Sequence, residues 1–134
     1  VKFAKITFLV AGIYGILALV PMYYMEAQIA QQSTPATDLL SRPEFFYGFI
    51  GVALAWQVAF LIMSRDPLRY RPLMLVAILE KVGFGMAVPI LFLENRVPLQ
   101  MVTPAFIDMI LGVLFLASYA LTSKKFLKKE ESLE

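Results

Sequence analysis

Uncharged apolar runs of about twenty residues alternate along the chain with shorter segments in which charge and proline collect. Ile6–Met25 and Phe45–Ser64 hold no charged residue, Pro72–Leu93 holds only Glu80 and Lys81, and Met101–Leu121 holds only Asp108. A helix rising ~1.5 Å per residue crosses a hydrocarbon core of roughly 30 Å in about 20 residues, so each run has the length of one membrane crossing. The period-2 alternation of a membrane barrel is missing from the pattern. Helices are then the way to satisfy backbone polar groups inside lipid. The pattern predicts an all-α polytopic membrane protein, a single domain over residues 1–134. Its four transmembrane helices, near 4–25, 44–64, 72–93 and 103–122, form an antiparallel bundle with short loops.

The connecting segments agree with that count. Glu26–Glu44 is the longest, and its end, Ser41-Arg42-Pro43-Glu44, has the S-x-x-E spacing of a capping box with proline in the first turn. Asp66–Arg71 turns the chain between the second and third helices, with Asp66 before Pro67 as the turn or cap signal. Glu94–Gln100 makes the third connection, and Thr103-Pro104 opens the last helix. Pro21 and Pro89 are each placed to bend a helix near the end remote from the termini.

Composition settles the solvent. Of 134 residues 60% are hydrophobic and 16% charged, against roughly 25% charged in a soluble domain, and the mean hydropathy is +0.73. With no Cys and no His, disulfides, thiolate or imidazole metal sites and histidine acid–base catalysis are excluded. No metal or cofactor is expected, and no nucleic acid. Basic residues cluster at Lys2 and Lys5, at Arg65, Arg69 and Arg71, and from Lys124 to Lys129, against Arg42 and Arg96 on the opposite side. The positive-inside rule therefore puts both termini in the cytoplasm, in a membrane such as the bacterial inner membrane. The first apolar run is longer than a signal-peptide core and lacks an A-x-A cleavage site, so it is expected to be a span.

Candidate chemistry comes from the polar residues inside the spans. Residues equidistant from the midpoint of a short loop lie at similar depth. By that ruler Tyr14, Trp56, Gln57, Glu80 and Lys81 share one layer, ~12 Å from the cytoplasmic edge, while Asp108 meets Ala87 some ~10 Å further out. Small residues favour helix contact. The stripes Ala77-Glu80-Gly83-Ala87, Ala11-Tyr14-Gly15-Ala18, Ala105-Asp108-Gly112 and Gly51-Ala55-Ala59 are therefore expected to face inward.

An ionisable residue within a span is costly, which makes Glu80, with Lys81 beside it, the leading site candidate. Either Glu80 binds a ligand or cycles a proton, or it serves as interhelical glue to Gln57 or Tyr14 while Lys81 snorkels to the headgroups. Asp108, Trp56 and Gln57 each have an equally structural reading. Three functions stay open: binding of a lipid-like or amphipathic molecule or a partner's helix, proton-coupled transport by a homo-oligomer, and metal-free intramembrane acid–base catalysis. Nothing in the chain demands catalysis, so binding is the default. In size and span number the chain resembles the small multidrug resistance transporters. Their coupling glutamate lies in the first helix, however, and Ile6–Met25 has no acid. Expected partners are membrane lipids, a hydrophobic ligand, and other copies or subunits of a membrane complex.

Overall fold

The computed structural model describes residues 1–25, 27–28 and 43–131, with the side chains of all except 125 and 128–131. Four long helices lie antiparallel: α1 Lys2–Leu19, α2 Pro43–Arg65, α3 Arg71–Leu93 and α4 Val102–Glu131. Each belongs to a segment long and apolar enough to cross a membrane, as the run pattern predicts. The expected capping residue Ser41 lies outside the described residues, as does most of the first connection. Glu44 does stand in the first turn of α2, where a carboxylate favours the positive end of the helix dipole. The last helix runs nine residues beyond its expected end at 122, to Glu131, because Lys, Phe, Leu and Glu in that segment are tolerated in a solvated helix once the apolar span is over.

Local chemistry explains the ends. At Pro21 the missing N–H and the ring's clash with the preceding turn stop the α-helix, and the chain continues as a 3-10 helix over Val20–Tyr24. Asp66 Oδ1 accepts the Arg69 N–H at 3.2 Å, and Pro67 is fully buried, so the α2–α3 turn is tied to itself and to the bundle. After α3, Asn95 takes the left-handed conformation with φ 56°, and the Arg96 N–H donates to Leu91 O at 2.9 Å. That six-to-one bond satisfies a carbonyl the helix end would otherwise leave open.

The helices pack as two tight pairs, α1 with α2 and α3 with α4, joined by a contact of α1 with α4. Glycine permits the first pair. A Cβ on Gly12 would sit 2.7 Å from Leu61 Cδ2 and 2.9 Å from the Gln57 carbonyl oxygen, and one on Gly15 would collide with the Gln57 side chain. The core lies toward the end of the bundle that holds the termini. There Phe8 stacks on Phe115 at 4.4 Å and Phe60 meets Phe115 edge-on at 5.0 Å. Met63, Met74, Ala4 and Ala77 close around them. At that end the Arg71 guanidinium lies 3.7 Å over the Tyr119 ring and its Nη2 donates to Tyr119 O at 3.3 Å, pinning α3 to α4.

The outward surface is apolar, with Leu17, Leu79, Val52, Phe106 and Leu121 all well exposed, as a lipid-facing surface requires. Ser64, Ser118 and Thr122 are buried, and each hydroxyl donates to a carbonyl of its own helix at 2.7–2.8 Å. Their polar groups are thus satisfied without water.

Candidate functional site

The buried stripe of α3 is Met74, Ala77, Lys81, Gly85 and Val88. This corrects the expected stripe by one helix position: Lys81, not Glu80, points to the interior, while Gly83 and Ala87 face outward. Both stripes pass through Ala77, and a step of four from it reaches Lys81 where a step of three reaches Glu80. Packing against Gly112, whose Cβ position would lie 3.5 Å from Lys81 Cβ, selects the step of four. On α2 the expected small stripe also turns outward. Gly51 and Ala55 are exposed and Ala59 is half-buried, while Phe46, Ile50, Gln57, Phe60 and Ser64 are buried.

Lys81 is only 5% exposed, so it does not snorkel. Its Nζ lies 3.0 Å from Asp108 Oδ1, 3.3 Å from Glu80 Oε2 and 3.4 Å from Glu80 Oε1. The Phe60 ring centroid is 5.4 Å away, within reach of a cation–π attraction. Asp108 is therefore not a separate level. Gly85 faces Ala105 and Met109, and Lys81 faces Gly112, which sets Asp108 near Gly85, one turn from Lys81, rather than near Ala87. The four-carbon lysine stem spans that turn.

Two carboxylates and one ammonium meet here, all inside candidate spans. If all three are ionised, the cluster carries one surplus negative charge. The two acids are not equivalent. Asp108 makes the shorter contact and its side chain is 16% exposed; Glu80 makes the longer ones and is 22% exposed. Glu80 Oε2 is itself shielded and has no hydrogen-bond donor in good geometry. That oxygen meets the Lys81 ammonium at 3.3 Å as an ion pair without a hydrogen bond. Among the described residues no third carboxylate joins the group.

Glu80 also lies on the side of α3 that faces α2. Helices α2 and α3, although consecutive, pack less closely than the two tight pairs; Phe49 and Phe84 meet between them with ring centroids 6.5 Å apart. Leu73, Glu80 and Phe84 are spaced by seven and four residues, which places them on one stripe of α3. Leu73 and Phe84 both meet α2, so Glu80 lies along the seam between them. On the α2 side Val52, Ala55, Trp56 and Ala59 line, with Leu73, a shallow apolar depression of about 270 Å³. Trp56 is half-buried there, its rings 6.0 Å from Phe60.

The remaining candidates lie elsewhere. Tyr14 is 39% exposed on the outer face of α1, which corrects the expectation that it converges with Glu80. Gln57 is buried at the depth expected, but between α1 and α2, where its Nε2 donates to Ala53 O of its own helix at 3.0 Å. The polar layer is thus two separate features, a glutamine in the α1–α2 contact and an ion cluster at α2–α3–α4. Phe60 belongs to the cluster and was not singled out in the sequence; the signal was its place one turn after Trp56.

No family model, curated protein or solved structure matches the chain.

Proposed function

We propose that the protein binds an amphipathic molecule with a protonated amine head, which reaches the ion cluster laterally from the membrane through the α2–α3 seam. The observation that carries this reading is a cluster with more carboxylate than ammonium, in which Glu80, beside that seam, shares its one cation with Asp108 and has an oxygen that makes no hydrogen bond. A cationic head pairs with Glu80, the aromatic faces of Phe60 and Trp56 favour a cation nearby, and the apolar chain lies in the depression next to Trp56. On this reading the protein is an integral membrane protein with both termini cytoplasmic. An impermeant thiol reagent applied from outside is expected to label a cysteine placed at Leu99 and to spare one at Arg69; labelling at Arg69 overturns the orientation.

Trp56 is the chain's one tryptophan, so its fluorescence reports the seam directly. In nanodiscs of phosphatidylcholine, dodecylamine is expected to change Trp56 emission saturably and to raise the unfolding temperature, while dodecanol does neither. Glu80→Gln, similar in shape but uncharged, is expected to lose both responses to the amine. Equal responses to amine and alcohol, or a Glu80→Gln protein that responds like the parent, would sink the reading.

A further inference from the structure

Resting on that reading, we infer that Asp108 is a positioning residue: it draws the Lys81 ammonium toward itself and so leaves the charge of Glu80 incompletely compensated and available to the ligand. The Lys81 Nζ is the cation nearest to both acids, and without a competitor it would belong to Glu80, its neighbour in the chain. The distances show where it is held. Asp108 Oδ1, in an ion pair at 3.0 Å, is the nearest of the three oxygens, whereas the Glu80 oxygens are at 3.3 Å in an ion pair and 3.4 Å in a hydrogen bond. The buried lysine stem packs on Gly112, one turn along α4 from Asp108, so the helix that supplies the acid also seats the base.

Charge arithmetic shows why one further cation is called for. Two carboxylates and one ammonium accept one further monocation to become neutral, as two ion pairs: Lys81 with Asp108, and the ligand's ammonium with Glu80. Remove the charge of Asp108 and the cluster is neutral without a ligand, because Lys81 closes on Glu80. A residue that need not touch the ligand then decides whether the ligand's carboxylate is available. The carboxylate also selects the head: it accepts an N–H donor at about 2.7–2.9 Å, and a quaternary nitrogen, sheathed in methyl groups, cannot approach it as closely.

The test uses the same nanodiscs, with dodecylamine and dodecyltrimethylammonium as probes and Trp56 emission as readout. Asp108→Asn is expected to weaken dodecylamine binding at least tenfold. The double variant Asp108→Asn/Lys81→Met, in which no lysine competes for Glu80, is expected to return within about threefold of the parent. Asp108→Glu, which keeps the charge, is expected to bind like the parent, and the quaternary probe to bind the parent at least tenfold more weakly than the amine. Recovery in the double variant separates positioning from misfolding, since a merely structural loss would not be repaired by a second substitution. If the parent binds dodecylamine and Asp108→Asn binds it equally, or the double variant stays as weak as the single one, the inference is overturned. If the parent itself does not distinguish dodecylamine from dodecanol, the binding reading fails instead.

Discussion

Lys81→Met is expected to lower the unfolding free energy by about 3–5 kcal/mol, the cost typical of taking one partner from a buried ion pair and leaving the other uncompensated. In this protein two carboxylates lose their shared cation at once, since Lys81 Nζ is within 3.4 Å of both Glu80 and Asp108. Methionine keeps the volume and the packing on Gly112, so the loss isolates charge from shape. Adding Asp108→Asn to Lys81→Met is expected to restore more than half of the loss, because one of the stranded charges is then gone. Equilibrium unfolding of the parent, both single variants and the double variant in mixed micelles gives the coupling energy directly. A Lys81→Met protein as stable as the parent would show that the cluster contributes nothing to the packing of α3 on α4.

Phe115→Ala is expected to be the costliest change in the apolar core, about 3 kcal/mol, near the lower end of the range for deleting a buried aromatic ring. Phe115 is fully buried and touches both Phe8 and Phe60, so it joins α4 to α1 and α2 at one point. The lower end applies because lipid is as apolar as the core. Little transfer free energy separates a ring in the bundle from a ring in the bilayer, and the loss is of close packing and of the aromatic pair geometry. Phe115→Leu, which fills part of the space, is expected to cost less than half as much in the same unfolding measurement. Equal stability of Phe115→Ala and the parent would mean that the bundle is held by its polar contacts instead.

The two predictions probe what the sequence made legible to different degrees. The four spans were plain because one physical requirement, some twenty apolar residues per crossing, writes itself along the chain without regard to neighbours. The turn at Asp66-Pro67 was equally local. Depth was partly legible too: the loop ruler set Gln57 at the level of Tyr14, and a Cβ on Gly15, next to Tyr14, would indeed strike Gln57. For Asp108 it erred because the real register pairs it with the level of Gly85, close enough for Lys81 to reach.

What the sequence by itself determined is therefore the class of fold, the number of crossings and the presence of three charges within them. Which way each helix is rotated about its axis belongs to the tertiary structure. In a soluble protein the apolar stripe marks the buried face, but in lipid both faces are apolar and that signal is erased. Small residues stand in for it poorly: Gly12 and Gly15 face a helix, while Gly51 and Gly83 do not. Rotation was settled by packing, Lys81 against Gly112 and Phe115 between Phe8 and Phe60. One helix position of rotation, about 100°, is what turned Lys81 inward, left Glu80 at the seam and drew Asp108 into the same cluster.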